Sequence, residues 1–247
     1  MPEVIETVDE VRPAMPDRIS LAFQPLELIE LPSTETAPGW KEIKSIPFGS
    51  LEGKPFQLDV YEELKSDESL FTIYNGILKV GDQTYLIREI SQSITESGLS
   101  HCTELCVIQK LFSGQERYEL IGSVPLFANG PGRNLFVVFD RTESTLLSFE
   151  GWGAGNFMDL DADGMEEFII EFPGLHMSWP DLTVIRAKDE GLEISSSVVD
   201  AFGRKPGDFA TLNKDQSPPR IRVGNIADEN LSYDYEYING VLQAVGG

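Results

Sequence analysis

Apolar residues recur along this chain in short runs cut by Gly, Asn, Asp and Pro, and no stretch holds a helical period over three turns. The runs are rich in β-branched and aromatic residues, which predicts strands. Phe71-Thr-Ile-Tyr and Ile77-Leu-Lys-Val flank Asn75-Gly76, a pair that predicts a two-residue hairpin turn because both positions tolerate positive φ. A second turn follows at Gly81-Asp82, and Thr84-Tyr-Leu-Ile-Arg continues the meander. Leu105 to Phe112 and Tyr118 to Val124 read as a hairpin through Ser113-Gly114. Leu135-Phe-Val-Val-Phe, Leu146-Leu-Ser-Phe and Phe168-Ile-Ile-Glu-Phe are further strands, and Leu182 to Ala187 with Leu192 to Ser195 is another hairpin. The chain ends on strict alternation around a second Asn-Gly pair, Asn239-Gly240. Many short strands between turn signals predict an all-β fold: a small or partial β-propeller-like array of antiparallel hairpins, with a β-sandwich as the alternative.

Residues 1–38 differ from the rest. They are acidic and interrupted by Pro13, Pro16, Pro25, Pro32 and Pro38, which forbid a long helix. We read them as an extended, partly disordered N-terminal segment, with short alternation at Ile19 to Phe23 and Leu26 to Leu31, preceding an all-β domain over 39–247. A faint internal repeat supports an array. Phe157-Met-Asp-Leu-Asp-Ala-Asp163 can be laid over Phe209-Ala-Thr-Leu-Asn-Lys-Asp215, at an offset of about fifty residues, a spacing suited to propeller blades.

Charge narrows the partners. With 41 acids against 19 bases the formal charge is −22, which repels phosphate backbones and anionic lipid heads and disfavours nucleic acid as a partner. No apolar run is long enough for a transmembrane helix. The N-terminal residues lack the basic and apolar regions of a signal peptide, so either the protein is cytosolic or its export signal has been removed. Cys102 and Cys106 cannot form a disulfide scaffold. His101, next to Cys102, adds too little for a metal site. No nucleophile elbow, zincin helix or phosphate loop is present, so no catalytic residue is assigned. His176 lies in a loop beside Trp179, and Tyr233, Tyr235 and Tyr237 share one face of a strand, which predicts sheet packing.

One stretch carries chemistry: Asp159-Leu-Asp161-Ala-Asp163-Gly164-Met165-Glu166-Glu167. Carboxylates at alternate positions of a curling loop converge on one point, the oxygen cage that a hard cation needs, and the Gly permits the sharp turn. An EF-hand would need flanking helices and a Glu at the twelfth position, where this chain has Ile170. The predicted Ca²⁺ ligands are the side chains of Asp159, Asp161, Asp163 and Glu167 and the backbone carbonyl of Met165. An acidic turn without metal is the competing reading.

The stretch resembles the FG-GAP/VCBS repeat family, in which Asp-x-Asp-x-Asp-Gly-x-x-Asp precedes a short apolar strand. Asp159, Asp161, Asp163, Gly164 and Phe168-Ile-Ile match that pattern, and Glu167 replaces its final Asp. The resemblance implies a calcium loop within a propeller blade of an extracellular or cell-surface protein used for recognition. The expected function is a non-enzymatic, calcium-stabilised module that binds a protein or glycan. The alternative is a secreted glycan hydrolase with carboxylate catalysis and an aromatic platform around Trp152 and Trp179.

Overall fold

The computed structural model describes residues 15–35, 39–63, 72–96, 106–127, 132–175, 178–189 and 191–245. The fold is all-β, an array of antiparallel sheets. Three short strands come first: β1 (Arg18–Ser20), β2 (Phe23–Pro25) and β3 (Ile29–Glu30). Four meanders follow in chain order. The first sheet is β4 (Trp40–Leu51), β5 (Lys54–Glu63), β6 (Tyr74–Val80) and β7 (Gln83–Ile87). The second is β8 (Cys106–Leu111), β9 (Tyr118–Pro125), β10 (Arg133–Asp140) and β11 (Thr145–Trp152). The third is β12 (Ala154–Met158), β13 (Glu167–Phe172), β14 (Asp181–Lys188) and β15 (Gly191–Ser195). The fourth is β16 (Asp208–Asn213), β17 (Arg220–Asn225), β18 (Asp228–Ile238) and β19 (Val241–Ala244).

The hydrophobic pattern explains how the sheets stack. The central strands β10 and β13 carry continuous apolar runs, Leu135–Phe139 and Phe168–Ile170, because both of their faces are covered. In β10, Leu135, Val137 and Phe139 join a core with Leu58, Val60 and Leu78 of the first sheet. The alternate residues Phe136 and Val138 join a second core with Phe168 and Ile170 of β13. Ile169 faces the other way, into a third core with Val223, Tyr235 and Tyr237 of the fourth sheet. Outer sheets alternate instead. Tyr235 and Tyr237 are buried, whereas Asp234 and Glu236 pair with Arg222 and Arg220 on the opposite face. Each fully buried Phe, Leu or Ile in these cores contributes about 1.5–3 kcal/mol. Among the described residues no apolar cluster joins the first sheet to the fourth.

The N-terminal strands are built into this array. β1 pairs with β19, β2 with β15 and β3 with β11, and Ser33 bridges Tyr85 of β7. The segment thus lies along the last strand of every sheet, in reverse order. The short alternation at Ile19 to Phe23 and Leu26 to Leu31 corresponds to these strands. Residues 1–14 lie outside the described residues.

One predicted turn is absent. Asn75 and Gly76 lie inside β6, paired with Tyr61 and Val60. Asn75 is buried; its side chain donates to Glu63 and accepts from the Glu89 N–H. A Cβ on Gly76 would sit 2.7 Å from Leu58 Cδ1, so this glycine serves close packing, not a turn. The chain reverses at Gly81-Asp82, as expected, and Asn239-Gly240 is a hairpin turn with φ of 45° and 89°. Two short helices escaped the pattern: α1 (Ser93–Glu96) and α2 (Val198–Phe202), the second capped by Ser197 and by Gly203 at φ 93°. No helix among the described residues is long and apolar enough to cross a membrane.

Candidate metal centre

The acidic loop joins β12 to β13. Its curl is held by its own carboxylates. Asp159 accepts from the Asp163 N–H at 3.2 Å and the Gly164 N–H at 3.0 Å, and Asp163 accepts from the Met165 N–H at 2.7 Å. Ala162 (φ 59°) and Gly164 (φ 87°) supply the left-handed positions; the space around Gly164 is open, so conformation alone favours glycine there.

These bonds bring one carboxylate oxygen from each of Asp159, Asp161 and Asp163 within 4.8 Å of one another. Ca²⁺ binds oxygens at about 2.3–2.6 Å, so ligands on one ion lie no more than about 5 Å apart. The trio fits that sphere. Two carboxylates at this separation repel by about 1 kcal/mol even in bulk water. Among the described residues no Lys or Arg pairs with the three: Lys110 takes Glu166 and stands 5.2 Å over the Phe157 ring, and Arg186 and Lys188 take Glu193. Asp161 Oδ2 accepts from the Asn239 N–H at 3.1 Å, whereas its Oδ1 is buried without a partner. A buried carboxylate oxygen without a protein partner is a place for a cation or a water.

The other two predicted ligands are arranged differently. Met165 is half exposed and its sulfur packs beside the Gly114 turn, leaving any ligand role to the backbone. Glu167 is 8 % exposed and its Oε2 accepts from the Leu160 N–H at 3.1 Å; it lies outside the close trio. Burial, reinforced by the charges of Asp161 and Asp163, pushes its carboxyl up to about 7.

No protein-family model, curated protein or solved structure matches the chain. The geometry therefore stands on its own. It brings in groups that local reading missed. A cavity of about 480 Å³ beside the loop is lined by Asp161, Asp163, Glu167, Arg186, Tyr237 and Asn239. Arg186 is clasped by Glu193, by Asn239 Oδ1 at 3.3 Å and by the Phe23 ring of β2 at 3.8 Å. The loop thus meets the fourth sheet and the N-terminal strand at one place. The Asn239-Gly240 turn is legible in the sequence; its proximity to Asp161 is not.

The faint repeat occupies equivalent places. Phe157 lies in β12 and Phe209 in β16, each the first strand of its sheet, and both segments run into the following turn. In the second copy Asp215 N–H donates to Asn213 Oδ1 at 3.1 Å, and no acidic trio forms among the described residues there.

At the other end of β12 the chain crosses from the second sheet to the third at Gly153. Its N–H donates to the Gly132 carbonyl at 2.5 Å, and a Cβ at Gly153 would overlap the Glu171 carbonyl. This crossing fixes Trp152, 49 % exposed, edge-on to Phe172 at 6.4 Å. Phe127 and Phe172 line an adjacent cleft of about 1020 Å³ with Asn134, Asn156, Glu171 and Lys214. Trp179 is also exposed; of the three tyrosines expected to pack on the sheet, Tyr235 and Tyr237 are core residues and Tyr233 is exposed. His101, Cys102 and His176 lie outside the described residues, and Cys106 opens β8.

Proposed function

We propose that this chain is a non-enzymatic β module of the FG-GAP/VCBS kind, stabilised by Ca²⁺ and used outside the cell or at its surface to bind a protein or glycan. The observation that carries the reading is Asp161 Oδ1, buried and unpartnered within a trio of converging carboxylates. Asp159 and Asp163 would complete the near side of the ion, with the Met165 carbonyl and Glu167 as the remaining protein ligands. The ion supplies positive charge that offsets the repulsion of the trio, and part of the folding free energy is then binding energy. The cleft beside the exposed Trp152 and Phe127, at the opposite end of β12, is the surface best suited to recognition, since rigid exposed aromatics mark binding sites.

Scanning calorimetry tests the reading. At a Ca²⁺ concentration of 100 Kd the folded state gains about 2.7 kcal/mol, and about 1 kcal/mol moves the midpoint by about 2–4 °C in a chain of this size. The midpoint in excess Ca²⁺ should therefore rise by roughly 5–10 °C over that in EGTA, and the rise should vanish in Asp161→Asn. An unchanged wild-type midpoint removes the cation from the proposal. The second reading, carboxylate-dependent glycan hydrolysis, draws on one observation: Glu167, held protonated near neutral pH, has the property of a general acid. Turnover of glycan substrates that is lost in Glu167→Gln would favour it.

A further inference from the structure

We infer that the cation site spans two sheets: the Tyr237 hydroxyl of β18 holds a water ligand on the inner side of the ion, so that filling the site locks the fourth sheet onto the third. The inference rests on the calcium reading above and adds a partner that lies outside the loop.

Tyr237 is 1 % exposed, and its hydroxyl is buried with no hydrogen-bond partner at normal geometry. Leaving such a group unpaired costs about 1–3 kcal/mol. It lines the same cavity as Asp161, whose Oδ1 is likewise unpartnered. Both residues line one polar space of about 480 Å³, which has room for an ion on Asp161 Oδ1 and a water between that ion and the phenol. Calcium takes six to eight oxygens, more than the five predicted from the loop, so one or more waters complete its shell. A metal-bound water donates both of its hydrogens, and a neutral phenol oxygen accepts one of them.

The surrounding contacts make this an inter-sheet device. Asn239, two residues on, donates its N–H to Asp161 Oδ2. A Cβ on Gly240 would meet both Phe23 of β2 and Arg186 of β14, so the turn is pressed against the third sheet. An ion gripping Asp161 on one side and, through water, Tyr237 on the other adds a polar tie to the apolar core between these sheets.

Titration calorimetry of CaCl₂ into the full chain, wild type and Tyr237→Phe, tests it. Removing an outer-sphere partner of a bound metal costs about ten- to a hundredfold in affinity, so the Phe variant should bind Ca²⁺ at least about tenfold more weakly. Its melting temperature in EGTA should equal or exceed that of wild type, because an unpaired hydroxyl has gone. Wild-type Ca²⁺ binding with an unaltered Phe variant overturns this inference alone. Absence of binding in wild type overturns the calcium reading, and this inference with it. Hydrogen exchange on wild type gives an independent readout. Added Ca²⁺ should protect amides of β18 and β19 as well as the loop, and protection confined to the loop would refute the tie.

Discussion

Replacing Glu167 by Gln isolates the electrostatic cost of burying this carboxyl. The carboxyl rises from an ordinary 4.5 to about 7, mainly because it is buried. At about 1.4 kcal/mol per pH unit, the ionised form is disfavoured in the folded state by roughly 3 kcal/mol. The group is 8 % exposed, so solvent screens little of this. The sign follows from proton counting. Between about 4.5 and about 7 the folded chain holds a proton that the unfolded chain has lost, so stability falls as pH rises through this window and is flat above it. The Gln variant keeps an acceptor for the Leu160 N–H and has nothing to titrate. Urea unfolding in EDTA should show equal stability for the two proteins near the lower end of the window. At about pH 8 the variant should be more stable by up to about 3 kcal/mol, with unchanged m. In millimolar Ca²⁺ the order should reverse, because the variant has lost a ligand and the wild-type charge is neutralised. An identical pH slope for both proteins in EDTA would refute the burial argument.

Two further predictions concern the frame around the site. Gly153→Ala should destabilise by about 2 kcal/mol or more, since the residue has φ 123° and a Cβ would overlap the Glu171 backbone; chemical unfolding measures it, and loss of Trp152 fluorescence anisotropy should accompany it. Asp181→Ala should cost about 2–4 kcal/mol, because the buried carboxylate accepts from the Leu182 and Val199 N–H groups and from Arg204; hydrogen exchange should show α2 opening first.

The acidic loop was legible because its information is local. Alternating carboxylates, a glycine at the turn and a following apolar strand are read from neighbours in sequence, and the structure brings Asp159, Asp161 and Asp163 together. Glu167 was legible as an acid but not as a buried one, since its burial comes from the sheet behind it. Tyr237 and Asn239 carry no local sign of the loop; they reach it because the fourth sheet stacks on the third.

The sequence alone determined the strand runs, most turns and the all-β class, because alternation and turn chemistry act through backbone dihedrals within a few residues. The apolar run Leu135–Phe139 in β10 and the alternation in β18 are visible in the sequence, but which sheet lies inside is set by the stacking. Tertiary structure decided the rest. Asn75-Gly76 has the composition of a turn, yet packing against Leu58 and hydrogen bonds to Glu63 and Glu89 hold it in a strand. The N-terminal segment has short, weak alternation of its own, and its strands exist because the last strands of the sheets offer free backbone groups to pair with. Such choices are set by which surfaces meet, and no window of local sequence contains that.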